Sequence, residues 1–238
     1  MRLERAPVDV AFTAEDLSQA FRRSVFSSGE KTAASGALRR WPGPIFYRTF
    51  AFCSQRSENR LVAETMRRLT KQTRRRILAQ NPGQAYEVEI RFLAPEDFAP
   101  LLDRARDVPK FARFVREFRD TPQLACTQRI VFGPEGASPT QSDILAAFVF
   151  IRAGLPDRLN RSCVEKGLAV AMGALSDHPD NRPSIFNDVP EFALLTTHDE
   201  LLLRILYDPR LEAGMTEAEA MPIVRQIARE LVAGEAGG

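Results

Sequence analysis

The sequence predicts an α+β single domain, with a small mixed β-sheet packed against two long helices and a helical C-terminal subdomain. Three observations carry this. Tyr86 to Leu93 alternates Val88, Ile90 and Phe92 with Glu87, Glu89 and Arg91, the period of a half-exposed strand. Ile144 to Ile151 is almost wholly apolar, as in a central strand buried on both faces. From Ser57 to Gln80, Val62, Met66, Leu69 and Ile77 fall on one helical face, opposite Arg67, Arg68, Lys71, Arg74 and Arg75. With 238 residues and 44% apolar content, the chain can bury one substantial core.

The elements follow in order. Thr13 and Asp16 form a capping arrangement, and Glu15 and Asp16 favour the start of a helix carrying Leu17, Phe21 and Val25. Ser27 to Ala37, rich in Ser, Gly, Lys and Ala, is a flexible linker, so residues 1–37 form a helix and tether ahead of a domain over 38–238. After Trp41-Pro42-Gly43-Pro44, Ile45 to Phe52 is predicted to be the first strand of the sheet. The long helix Ser57–Gln80 ends at Asn81-Pro82-Gly83. Pro95–Arg106 and Pro109–Phe118 are short helices opened by proline, forming a connecting lobe. Gln128–Phe132 is a short edge strand, Gly133–Pro139 a loop and Gly154–Arg161 a turn. Ser162–Gly173 is a helix whose Val164, Leu168, Ala171 and Met172 face the sheet. The helical part 176–238 begins with the irregular stretch Asp177–Pro190, which holds three prolines and two asparagines. Helices return at His198–Leu206, capped by Thr196 or Thr197 and ended by Pro209, and at Thr216–Val232, where Thr216 and Glu219 form a second capping box. Gly234 to Gly238 should fray.

Composition excludes several classes. A net charge of +2 gives no global field for nucleic acid or anionic membrane. The basic residues are nearly all Arg, which reads as genomic composition rather than a phosphate-binding code. The Arg67, Arg68, Lys71, Arg74, Arg75 and Arg76 face is the one candidate surface for nucleic acid or an acidic partner. No aromatic residues interleave with it, and a solvated face is the favoured alternative. Cys53, Cys126 and Cys163 are odd in number and lack CxxC spacing, which argues against a zinc knuckle or a thioredoxin-type dithiol. No run of apolar residues reaches a membrane span, and MRLERAPVDV lacks the apolar core of a signal peptide, although a trimmed leader would look the same.

The order of helix, strand, long helix, strand, edge strand, central strand and Gly-ended helix resembles that of the zincins, the metallopeptidase fold. There the last helix carries HExxH, extended in metzincins to HExxHxxGxxH. The stretch from Ser162-Cys163 through RPSIFND at Arg182–Asp188, FALLTTHDELLLRILYDPRL at Phe192–Leu211 and Gly214-Met215 resembles an uncharacterised bacterial family, domain-of-unknown-function family 2927. That resemblance covers most of the chain from Leu38. It implies an exported or lipid-anchored protein distantly related to zincins, and hence a periplasmic or cell-envelope location. In that family the helix reads Cys, an acidic pair, Gln, Gly and Asn-Asp. Here the metal-motif places fall on Lys166, Gly167, Val170 and Ser176, and of the pattern only Cys163, Gly173 and Asp177 survive.

A zincin metal site needs imidazoles or carboxylates converging on one cation, and a Glu to take a proton from bound water. Lys166, Gly167 and Val170 supply none of these, so neither metal nor cofactor is expected. A rebuilt cluster of Glu165, Asp177, His178 and Asp180 competes with a plain solvated acidic loop. Cys163, placed at a helix N-terminus beside Lys166, would make a thiolate nucleophile with His178 or His198 as base and Asp177 or Asp199 orienting it. For an exported family a structural Cys126–Cys163 disulfide is the favoured alternative. Asp177, Asn187, Asp188, His198 and Tyr207 are candidate cleft-lining residues, set against a packing role. The expected function is a non-catalytic, metallopeptidase-like domain binding an unknown protein or peptide partner. The alternatives are a hydrolase rebuilt around Cys163, His178 or His198, and an Arg-helix binder.

Overall fold

A computed structural model of the chain describes residues 1–26, 36–50, 55–132, 144–173 and 175–236. Most of the predicted linker, all of the Gly133–Pro139 loop and the end of the first predicted strand lie outside the described residues. Strands β1 (Ile45–Phe50), β2 (Ile77–Ala79), β3 (Val88–Leu93), β4 (Cys126–Phe132) and β5 (Ile144–Arg152) form one five-stranded sheet in the order β2-β1-β3-β5-β4. β1 pairs in parallel with β2 and β3, and β3 with β5, whereas β4 is antiparallel to β5 and forms an edge. The fold is a mixed α+β one.

Strand alternation decides which face each side chain takes. Val88, Ile90 and Phe92 of β3 lie beside Ala147, Val149 and Ile151 of β5, and these enter the main core with Val62, Met66 and Leu69 of α2 (Gln55–Thr73) and Val164 and Leu168 of α5 (Asp157–Ala171). Phe148 and Phe150 point the other way, into a second core beneath α3 (Phe98–Arg104) and α4 (Pro109–Arg119). Phe114 stacks on Phe150 with ring centroids 4.9 Å apart, and Arg152 sits 4.5 Å over Phe118 while donating to the Phe118 carbonyl at 2.6 Å. The predicted connecting lobe is thus the cover of the sheet's second face.

Two boundaries differ from expectation. α2 stops at Thr73 instead of Gln80: the Thr73 hydroxyl turns back to the Leu69 carbonyl and accepts the Arg75 N–H. Arg74 then takes φ 54°, a left-handed conformation that ends the helix. Ile77, whose position suits a helical face, instead pairs with Ile45 at the start of β2. α5 begins at Asp157 rather than Ser162, with Pro156 as its N-cap, so Cys163 lies nearly two turns inside the helix and not at its N-terminus. Among the described residues no helix is long and apolar enough to cross a membrane.

α1 (Ala14–Phe26), α6 (Thr197–Leu206) and α7 (Glu217–Ala236) complete the fold, with α1 packed on α7. α7 continues through Gly234, which was expected to fray. Both predicted capping boxes form. Thr13 N–H donates to Asp16 at 2.8 Å and Asp16 N–H to the Thr13 hydroxyl at 3.1 Å, and Thr216 and Glu219 repeat the exchange at 2.8 and 3.4 Å. The backbone and then the hydroxyl of each threonine hold the Asp16 and Glu219 carboxyls below their ordinary 3.8 and 4.5. Since folding depresses both, their contribution is present above those ordinary values and is lost as pH falls through the folded ones. Hydrogen exchange should therefore show the first turns of α1 and α7 losing protection in acid, and Asp16→Asn with Glu219→Gln should remove that part of the pH dependence.

Candidate functional site

The site is built where α5 meets the edge strand β4. Cys163 of α5 is joined to Cys126 at the start of β4, with their Cα atoms 5.8 Å apart. Lys166 and Val170 follow Cys163 at i+3 and i+7, on the same face of the helix. The Lys166 ammonium reaches the Asp177 carboxylate at 2.6 Å, eleven residues along the chain. Burial pushes the Asp177 carboxyl up from its ordinary value, and the contact with Lys166 opposes that shift. Val170 is 6% exposed and belongs to the main core.

Gly167 faces the sheet: a Cβ there would lie 2.6 Å from Val149 Cγ1. Gly173 lets α6 approach the end of α5, since a Cβ would fall 2.0 Å from Leu206 Cδ2. Beside it the Tyr207 hydroxyl donates to the Met172 carbonyl at 2.5 Å and accepts the Trp41 N–H at 3.3 Å. Burial drives the Tyr207 phenol well above its usual range. Tyr207 therefore does not line a cleft; it ties α6 to the end of α5 inside the core.

The other predicted residues are dispersed. His178 Nδ1 accepts the Asp180 N–H at 3.1 Å on an exposed turn. The Asn187 side chain donates to the Pro179 and Asn181 carbonyls and accepts the Val189 N–H, which makes it a loop brace. Asp188 is exposed. His198 is buried edge-on to Phe12 with centroids 4.9 Å apart, and its Nδ1 has no hydrogen-bond partner among the described residues. Asp199 caps α6, accepting from Thr196 N–H at 2.8 Å and Ile185 N–H at 3.0 Å, and from the Ser184 hydroxyl. No hydrogen bond, ion pair or ring contact joins Cys163, His178 and His198 among the described residues. The Cys163 sulfur is spent in the disulfide, so it offers no thiolate.

The family profile described as "Protein of unknown function (DUF2927)" matches residues 14–226. The chain belongs to this DUF2927 family. No curated protein and no solved structure matches it. The three places where this DUF2927 chain keeps the expected helix pattern each have a contact that explains them: Cys163 bridges to Cys126, Gly173 admits Leu206, and Asp177 meets Lys166.

A zinc ion does not fit the motif places of this chain. The first holds a paired cation, the second a glycine packed on Val149 and the third a buried aliphatic chain; Ser176 uses its N–H on the Ser24 carbonyl. Among the described residues no group of three or more His, Cys, Asp or Glu side chains could hold a metal ion, which also disposes of the Glu165, Asp177, His178 and Asp180 cluster. The close helix–sheet contact makes a test. Gly167→Ala should destabilise the chain by about 1–3 kcal/mol through overpacking, against the roughly 1 kcal/mol that alanine gains over glycine in a helix. Val149 is β-branched and fully buried, so it cannot yield, and the midpoint of chemical denaturation reads the loss.

One constellation escaped the sequence reading. Glu165, beside Lys166, turns inward and accepts from Arg5 at 2.7 and 3.1 Å, from Arg68 at 3.3 Å and from the Leu195 N–H at 2.9 Å. Arg68 also engages Glu200, which Gln72 reaches at 2.7 Å. Arg68, expected on a solvated face of α2, is therefore the joint between α2, α5 and α6. Its neighbour Arg75 sits 5.3 Å over the Tyr207 ring. The signal was present, since Glu165 falls on the buried side of α5 with Leu168 and Met172, but its partners are remote in sequence.

Proposed function

We propose that this chain is a zincin-like domain that works without a catalytic metal, as a binding or structural element of the cell envelope. The sheet order β2-β1-β3-β5-β4, with one antiparallel edge strand ahead of β5 and α5, supports the zincin-like frame. The observation that carries the proposal is the 2.6 Å contact between Lys166 and Asp177. The residue at the first ligand place and the residue next to the last one meet, as the spacing HExxHxxGxxH requires of a helix and its return, but they meet as an ion pair. The Cys126–Cys163 disulfide favours an oxidising compartment.

The frame is tested by restoring the ligands. Lys166→His with Val170→His places two imidazoles at i and i+4 and frees Asp177 as a third donor. Zinc titration should then show saturable one-site binding in the double variant and none in the parent chain. A folded double variant that binds zinc no better than the parent would mean that these positions do not converge on a metal place.

A further inference from the structure

The segment preceding α1 lies in a groove that the rest of the chain builds. Arg2 forms a parallel bridge with Phe192: its N–H donates to the Glu191 carbonyl at 2.5 Å, and Ala193 N–H donates to the Arg2 carbonyl at 2.9 Å. Three residues on, the Arg5 carbonyl accepts the Thr197 N–H at 2.6 Å and the Thr197 hydroxyl at 3.2 Å. The Arg2 guanidinium lies 5.1 Å from the Phe192 ring centroid and 3.4 Å from the Glu191 carboxylate, and it also holds Asp9 of its own segment at 2.6 Å. Arg5 goes deeper: its guanidinium grips Glu165 and donates to the Leu195 carbonyl at 3.2 Å. The Arg5 side chain is 36% exposed and that of Glu165 only 3%, so Arg5 enters from solvent and ends on a buried carboxylate.

Several bonds of the groove wall are made within the rest of the chain. The Thr196 hydroxyl donates to the Pro183 carbonyl at 2.8 Å, Asp199 receives Thr196 and Ile185, and Leu195 N–H is fixed on Glu165. Beyond Arg5 the chain lifts from the surface, with Val8 98% exposed, before Phe12 settles on His198. The result is a preformed seat with backbone groups for an extended strand and two guanidinium positions three residues apart. One is an aromatic face beside an acid, and the other a buried carboxylate with a carbonyl.

We propose that this groove is a docking site for an extended, arginine-bearing peptide, and that residues 2–5 occupy it in cis. Glu165 at the floor selects a basic segment, with a smaller part for Glu191 at the rim, which Arg182 already holds at 2.6 Å; the Arg2 and Arg5 side chains show the spacing that fits. A tethered occupant acts at an effective concentration on the order of millimolar, so the intact chain resists free peptide until its own segment is weakened or displaced.

The test uses the full chain carrying Arg5→Ala and a fluorescein-labelled synthetic peptide of sequence MRLERAPVD. The variant should bind the peptide saturably and about tenfold or more tighter than the parent chain, whose groove is filled. A peptide with alanine in place of its second arginine should lose that gain. Absence of binding by the folded variant, or equal binding of the two peptides, overturns the proposal. Hydrogen exchange on the parent chain gives a reading that needs no variant. The Ala193 and Thr197 amides, which donate to the segment, should exchange by local opening about tenfold or more faster than the Leu195 amide bound to Glu165. If all three exchange together, only with global unfolding, the segment is an integral part of the fold and the docking proposal falls.

Discussion

Replacing Glu165 with alanine is expected to lower stability by about 3–5 kcal/mol, because it removes the carboxylate that accepts from Arg5, Arg68 and a buried amide and that also lies 3.9 Å from Arg161. A domain of this kind has about 5–15 kcal/mol in total, so the loss is a large share. Arg68 would keep Glu200 and Arg5 would keep the Leu195 carbonyl, but the buried Leu195 N–H would lose its acceptor. Glu165→Gln should cost less, since an amide oxygen can still accept the Leu195 N–H. Arg5→Ala should cost less again, because its side chain is partly in solvent and the carboxylate it leaves retains Arg68. Urea denaturation ranks the three. A Glu165→Ala midpoint within error of the parent would show that the network does not hold α2, α5 and the 191–197 segment together.

Breaking the Cys126–Cys163 disulfide is expected to cost about 4 kcal/mol, from the chain entropy released when a loop of 37 residues is opened in the unfolded state. The bridge also fastens the edge strand β4, which pairs on one side only with β5, to the helix that lies over the sheet. Cys126→Ala with Cys163→Ala leaves two small apolar side chains and no unpaired polar group, so the measured loss should come from the cross-link. The parent chain in reductant should show the same shift in denaturation midpoint, and the double variant should show no further shift on reduction. A parent midpoint insensitive to reductant would refute the assignment.

Local chemistry was legible in the sequence, and distant chemistry was not. The capping boxes at Thr13–Asp16 and Thr216–Glu219 involve residues three apart, and β3 and β5 announce themselves through alternation and continuous apolarity. Ile77 sits where a helical period would place it, which hides the end of α2, and only pairing with Ile45 reveals the strand. The first turn of α5, Asp157 to Asn160, follows Pro156 in a stretch with turn-like composition, so the sequence alone puts Cys163 near a helix start. Tyr207 reads as a polar handle in a leucine-rich run, and nothing local says that the Met172 carbonyl and the Trp41 amide will enclose it. Glu165 is the clearest case. Its main partner is 160 residues away, so its sequence neighbours show that it falls on the buried side of α5 and not what meets it there.

The Lys166–Asp177 contact turns the degenerate motif from a list of missing ligands into an alternative structure. Lys166 places a positive charge on α5 that the Asp177 carboxylate meets at 2.6 Å, so the pair is satisfied without a metal. Gly167 and Val170 are then free to serve packing, one against Val149 and the other in the core.

The most direct test is elemental analysis of the chain purified with no metal added. An ion pair at the motif predicts no stoichiometric zinc or other transition metal, whereas one metal ion per chain, lost with chelator and restored on titration, would contradict it.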